Sequence, residues 1–327
     1  MTNYSRLELW RIMTKVAPNF ELDHVLAGRR AESFLYALVG QHLKYKGAFC
    51  FVSKRVPSAK LKRRFEVDLI VLTKKQIHFF EIKNWSGKLV EFNGNWVQVK
   101  RDGTYIEHPN LTHYNSQKTQ AMVEYLQSCG VDIPESFISQ KVLFMNRNLQ
   151  IDPVIKEDPD VIPYGQVSQY IKRQKGTSFP ESMLHSLIEV CVSSDKSKII
   201  LDGLFDAMDK KTLKQANMAL SKLSTWDRIH YYGSRVVQGD ILELYVNGAK
   251  QDLSYLKANH DIKFQWVRRK FKSLLIALFS RNPFGRAKIN KRRLPLHPTN
   301  DYIKFHCAGD PKPSKIPLRE LNGIVKG

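Results

Sequence analysis

The chain has 327 residues, 43% of them hydrophobic, and carries 52 Lys and Arg against 31 Asp and Glu, a formal charge of +21. The hydrophobic share excludes wholesale disorder, and the length suits two domains better than one core. A cationic surplus of this size calls for a polyanionic partner, nucleic acid first and an anionic membrane surface second.

The opening MTNYSRLELWRIMTKVAPNF lacks the uninterrupted apolar stretch of a secretory leader. The longest apolar run, LLIALF at 274–279, is far short of the roughly 20 residues that span a bilayer. Cys50, Cys129, Cys191 and Cys307 lie far apart, with no CxxC pair or zinc-type Cys/His spacing, and read as reduced thiols of a cytoplasmic protein.

Residues 28–44, GRRAESFLYALVGQHLK, set Leu35, Leu38, Val39 and His42 at helical spacing and predict a helix that ends before Gly47. GAFCFVSKRV reads as a strand, and FEVDLIVLTKKQIHFFEIKNW at 65–85 as two buried strands around a basic turn. GKLVEFNGNWVQVKRDGTYIEH holds two turn signals, NGN and DG, between strand-like runs. LTHYNSQKTQAMVEYLQSCG reads as a second helix closed by Gly130, and QKVLFMN and DVIPY as further strands. This order predicts an α/β fold, a mixed sheet with helices packed on it. Beyond about residue 178 come helical PESMLHSLIEVCVSS and DAMDKKTLKQANMALSKL, then the hairpin-like RIHYYGSRVVQGDILELYVNG. Residues 259–327 hold 16 Lys and Arg against 4 Asp and Glu. The expected division is therefore 1–177, with its core at about 24–150, and a smaller basic α+β domain at 178–327.

The hairpin at 65–85 poses the functional question, because Asp68, Glu81 and Lys83 sit inside apolar runs. Buried charges are costly unless paired or metal-bound. A two-residue loop at Lys74-Lys75 would pair residues whose numbers sum to 149, so Asp68 faces Glu81 with Cβ atoms about 4.5–5.5 Å apart. Lys83 then shares the face of Glu81. Two adjacent carboxylates repel, and a divalent cation of the Mg²⁺ or Mn²⁺ class relieves both repulsion and burial. Metal plus ammonium suits phosphodiester hydrolysis. The spacing is equally that of ordinary ion pairs, Glu81 or Glu66 with Lys83. Glu32, three and seven residues from Leu35 and Val39, would face the sheet, as would Gln117, one turn before Ala121.

The segments GRRAESFL, EVDLIVL, FFEIKNWSGKL, NWVQV and HPNLTHYNSQ, spanning about residues 24–150, resemble the nuclease-related (NERD) domain of the PD-(D/E)XK nuclease superfamily. The shared pattern is Asp68 followed by Glu81-Ile82-Lys83; Val67 stands where the motif's name has Pro. The resemblance implies a PD-(D/E)XK-like sheet and a Mg²⁺- or Mn²⁺-dependent nuclease. Asp68, Glu81 and the carbonyl of Ile82 would hold the metal, and Lys83 would orient or deprotonate the attacking water. Glu32 would hold a ligand water or act as a further ligand, and Gln117 would position the Lys83 region or a phosphate.

His108 and His113 near the predicted site read as solvated, and Trp85 and Trp96 as packing. The basic run before Asp68, with Lys60, Lys62, Arg63 and Arg64, reads as a phosphate-backbone track or a solvated strand edge. Arg268, Arg269, Lys270, Lys291, Arg292 and Arg293 supply the second cationic set, either on a helix facing nucleic acid or on an amphipathic membrane helix. The expected function is a cytoplasmic nuclease, DNA favoured over RNA. The alternatives are a non-catalytic nucleic-acid-binding protein on the same fold and a membrane-surface adaptor.

Overall fold

The computed structural model describes residues 5–43, 47–58, 63–174, 207–254, 256, 259–268, 274–275, 278–279, 284–289, 292–308 and 310–327. Two compact units share the chain: His24–Ser224, and Thr225–Gly327 together with Met1–Asp23. The division thus falls at 224/225 rather than at 177/178. Helix Lys210–Lys222, grouped by composition with the basic half, buries Ala216, Ala219 and Leu220 in the core of the first unit. The predicted helix at 180–194 lies outside the described residues.

The chain opens with helix α1 (Arg6–Thr14), capped reciprocally by Ser5 and Glu8. The unit His24–Ser224 then carries, in chain order, α2 (Asp23–Leu43), β1 (Phe49–Ser58), β2 (Arg63–Leu72), β3 (Ile77–Lys83), β4 (Gly87–Phe92), β5 (Asn95–Val99), β6 (Tyr105–His108) and α3 (Leu111–Ser128). It continues with β7 (Ile138–Phe144), β8 (Leu149–Ile151), α4 (Pro153–Lys156), β9 (Val161–Ile162), α5 (Tyr164–Arg173) and α6 (Lys210–Lys222). The central sheet has the order β1-β2-β3-β7-β9, antiparallel from β1 to β3 and parallel from β3 to β9. A second sheet, β6-β5-β4-β8, carries the NGN and DG turns. The α/β fold with a mixed sheet and flanking helices is the one expected.

The central sheet is buried on both faces, which is why β3 (IHFFEIK) is nearly unbroken in its apolar character. One face packs Ile70, Leu72, Ile77 and Phe79 on Met122 and Leu126 of α3 and Leu220 of α6. The other packs Leu69, Val71, Phe80 and Ile82 on Leu35 and Val39 of α2 and Ile171 of α5. Asn110 caps α3, its side-chain oxygen accepting from the amides of Thr112 and His113 at 3.0 and 3.1 Å. Gly130 ends that helix at φ +76°, in the left-handed region that glycine enters freely. Gly87 is needed more strictly: at φ +91°, a Cβ there would collide with the Val99 carbonyl.

The second unit is largely β. In chain order its strands are β10 (Asp227–Tyr231), β11 (Val236–Val246), β12 (Ala249–Lys250), β13 (Asp261–Trp266), β14 (Gly285–Ile289), β15 (Arg292–Pro295), β16 (Tyr302–Cys307), β17 (Ser314–Pro317) and β18 (Leu321–Val325). They form one sheet, β15-β14-β13-β18-β10-β11-β16-β17, with β12 paired to β11. Its core gathers Leu244, Ile262, Ile303, Phe305, Leu318 and Leu321, all fully or almost fully buried.

His78 of β3 is a polar group in the first unit's core, 2% exposed and stacked on Phe80 with ring centres 5.6 Å apart. Its Nδ1 has no hydrogen-bond partner among the described residues. Burial, reinforced by the charge of Lys141, holds its pKa down to about 4. Well above its ordinary pKa of about 6.5 the ring is neutral in both folded and unfolded chains and adds no pH dependence. Below that the unfolded chain binds a proton that the folded chain refuses until about pH 4, so stability falls as pH falls. Urea unfolding at pH 7 and at pH 5 is expected to show a loss of about 2 kcal/mol from this residue, and His78→Phe, which keeps the stack, should remove that part of the slope.

Candidate active site

The β2–β3 ladder pairs Leu69 with Phe80, Ile70 with Phe79, Val71 with His78 and Leu72 with Ile77, every pair summing to 149. The two-residue turn at Lys74-Lys75 closes where the sequence places it: Thr73 N donates to Gln76 O at 2.9 Å, and Thr73 Oγ1 accepts from Gln76 N at 2.9 Å. The ladder then stops at Leu69. Phe65 and Val67 share a face with Ile70 and Leu72, so the period-two alternation slips by one residue around Asp68. The facing position on β1 shows the same break, for Ser53, between the paired Val52 and Lys54, takes φ +49°. Freed from the alternation, the Asp68 carboxylate turns to the neighbouring strand and accepts from Ile82 N at 2.7 Å. It takes the amide that a continued ladder would have given to a carbonyl.

Glu81 lies one residue away, 4% exposed. Lys83 Nζ approaches its Oε1 at 2.6 Å, and Lys118 Nζ from α3 approaches its Oε2 at 2.5 Å. Lys118 is itself only 5% exposed. Both oxygens of one sealed carboxylate are thus held by ammonium groups, one from its own strand and one from the covering helix. Lys118 follows the stripe Leu111, Asn115, Lys118, Met122, all buried, at helical spacing. That stripe was the legible signal for Lys118, which the sequence reading missed in favour of its neighbour Gln117.

The electrostatics follow from burial and proximity. Burial, and then the charge of Glu81, push the Asp68 carboxyl up to about 8 against the pull of Lys83, Lys118 and the Ile82 amide. Burial would also raise Glu81, but Lys83 and Lys118 prevail and hold it below the usual carboxylate range. For Lys83 burial works against the charge, yet Glu81 and Asp68 outweigh it and raise its pKa. Glu32, on α2, is half-buried and raised by burial first and by Glu66 second, while Lys83 and Arg29 oppose. Its carboxyl is close enough to feel both Lys83 and Glu81.

Glu32, Asp68, Glu81, Lys83 and the backbone of Ile82 therefore meet at one end of the hairpin. Gln117 does not join them; its amide bonds His113 Nε2 at 3.1 Å on the outer side of α3. Trp85 stacks on His108 with ring centres 4.0 Å apart, and burial followed by the charges of Lys83 and Lys100 lowers the His108 pKa. That pair therefore stands beside the cluster, although the sequence alone assigns both rings bland roles. Trp96, 2% exposed, is core as expected.

The donor set suits a hard divalent cation. The Asp68 and Glu81 carboxyls and the Ile82 carbonyl are oxygen donors of the type such a cation takes, while both Glu81 oxygens are held here by the Lys83 and Lys118 ammonium groups. No cluster of three or more His, Cys, Asp or Glu side chains suited to a metal occurs among the described residues.

Of the cationic sets, Arg64 is exposed on β2, and Arg292 and Arg293 are exposed on β15. Arg63 starts β2. Arg268 is half-buried, its guanidinium 3.9 Å from the Tyr232 ring centre and donating to Leu321 O at 3.4 Å, so it serves the packing of its own unit. Lys60, Lys62, Arg269, Lys270 and Lys291 lie outside the described residues. So does most of the predicted basic helix around LLIALF.

The family comparison bears on the first unit. Residues 27–145 match the family described as the nuclease-related domain. A probable kinase, PglW, of Streptomyces coelicolor is 28% identical over 86 residues, which is 26% of this chain and 5% of that protein. The chain thus spans a small fraction of the relative's length. No solved structure matches. The matched span runs from α2 through β7 and encloses Glu32, Asp68, Glu81, Lys83 and Lys118, so residues 27–145 carry a nuclease-related domain, and their α/β fold is consistent with the PD-(D/E)XK type.

Proposed function

We propose that the protein is a metal-dependent nuclease that hydrolyses phosphodiester bonds, with DNA as its preferred substrate. The observation that carries this reading is the meeting of Asp68 and Glu81 with the Lys83 ammonium at the end of the β2–β3 hairpin. A Mg²⁺ or Mn²⁺ ion held by Asp68, Glu81 and the Ile82 carbonyl would supply Lewis-acid polarisation of a water and charge neutralisation at the phosphate. Lys83, held protonated by its carboxylate neighbours, is suited to clamping a non-bridging phosphate oxygen, where charge grows as the water attacks. Glu32, raised by burial, would orient the water, and Lys118 holds Glu81 in position. Exposed Arg64, Arg292 and Arg293 would meet the nucleic-acid backbone. Cys129 and Cys307 are free thiols, as would suit a cytoplasmic protein.

A second reading has its own observation. Because Lys83 and Lys118 already neutralise Glu81, the cluster can be stable without a metal, as in a fold that keeps nucleic-acid binding without cleavage.

Plasmid cleavage in Mg²⁺ separates the two. The nuclease reading expects Asp68→Ala and Lys83→Ala to slow cleavage by about 10²–10³-fold and chelation by EDTA to abolish it. Equal cleavage by all forms would assign the activity elsewhere, and salt-sensitive binding with no cleavage in any divalent metal would favour the second reading. Lys118→Met strips Glu81 of one buried partner and is expected to lower stability by about 3 kcal/mol in denaturant unfolding. Adding Glu81→Gln to it should recover most of that loss, since the orphaned charge is then gone.

A further inference from the structure

We propose that the outer face of β13, β14 and β15 is a docking groove for the phosphodiester backbone of a nucleic-acid strand. On β13, Ile262 and Phe264 point into the core while Lys263 and Gln265 point out; on β14, Ala287 and Ile289 point in while Arg286 and Lys288 point out. The register pairs Gln265 with Arg286 on one side and Lys288 with Arg293 on the other. Continued by one residue, it sets Lys263 beside Lys288. Lys263, Lys288 and Arg293 then form a row across three strands, spaced by about 4.8 Å per strand. They line a groove of about 520 Å³ together with Arg286 and His260. One acid, Asp261, lines it too, 3.6 Å from Lys263 Nζ in a solvent-exposed pair.

Like charges directly opposed on a sheet destabilise it. Lys288 and Arg293 are such a pair, with no carboxylate partner among the described residues. Edge protection against strand pairing would explain cations on β15, which ends the sheet. It does not explain a row that continues inward to the third strand. A nucleic-acid strand, with a charge every few ångströms, relieves the repulsion at all three positions and releases counterions as it does so. A bilayer fits less well, because among the described residues Ala287 is the groove's one apolar lining residue and offers nothing to insert.

This inference rests on nucleic acid being the partner, and not on the hydrolytic chemistry. The test is fluorescence anisotropy of a labelled DNA duplex with the full-length chain, in EDTA, across a KCl series. Lys288→Gln/Arg293→Gln should weaken binding on the order of tenfold and reduce the slope of log affinity against log salt by about two. Its unfolding midpoint without DNA should hold or rise, because a repulsive pair has been removed. Lys263→Gln, away from the edge strand, should reduce the slope by about one. Affinity and slope unchanged in both variants would overturn the proposal. So would a dependence seen only with phosphatidylserine vesicles and not with DNA. Binding that needs Lys288 without Mg²⁺-dependent cleavage would sink the nuclease reading and leave the groove standing; cleavage with binding indifferent to these residues would do the reverse.

Discussion

The Glu81 carboxylate is closed off from water, and a bare charge in such a place costs several kcal/mol. Two ammonium groups make it tolerable, one from the same strand and one from helix α3. This requirement ties the covering helix to the sheet at a defined height and rotation, since Lys118 must reach one oxygen while Leu126 and Met122 stay in the apolar layer. It also explains why the acid stays ionised where its neighbour does not: Glu81 has two close cations, whereas Asp68 has one backbone amide and two more distant lysines. Two carboxyls side by side whose pKa values are driven apart by their surroundings are a feature common at functional sites.

The second constraint is geometric. A strand buried on both faces has no room for an aspartate that obeys the alternation, because its carboxylate would enter one apolar layer or the other. The slip at Ser53 and Asp68 resolves this by turning the carboxylate along the sheet toward the amide of Ile82. The break in the ladder and the polar group at the break are one feature.

The second unit answers a different need. Its sheet has a well-filled inner face and an outer face on which cations stand opposite cations. A protein with a surplus of +21 cannot pair each positive side chain with a carboxylate of its own. Where cations fall in register across three strands, two of them directly opposed, a polyanion would relieve the repulsion between them.

Much of this was legible in the sequence. Strong local signals fixed β1 to β6, because turn chemistry at Lys74-Lys75, NGN and DG is decided within a few residues and the apolar runs between them suit buried strands. The register of the hairpin followed from the turn length, and with it the nearness of Asp68, Glu81 and Lys83. Helical spacing likewise brought Glu32 to the sheet. Other features are set by packing and escape local reading. Spacing from a single anchor chose Gln117, but rotation of α3 on the sheet selected Lys118, and only the whole buried stripe reports that rotation. Composition divided the chain near 177, but the apolar face of α6 found its partner in the first unit's core. Arg268 counted as a surface cation until the ring of Tyr232 covered it. Residue types and their spacing determine which groups can meet; long-range burial decides which of them do, because one apolar face must be covered by another wherever in the chain it lies.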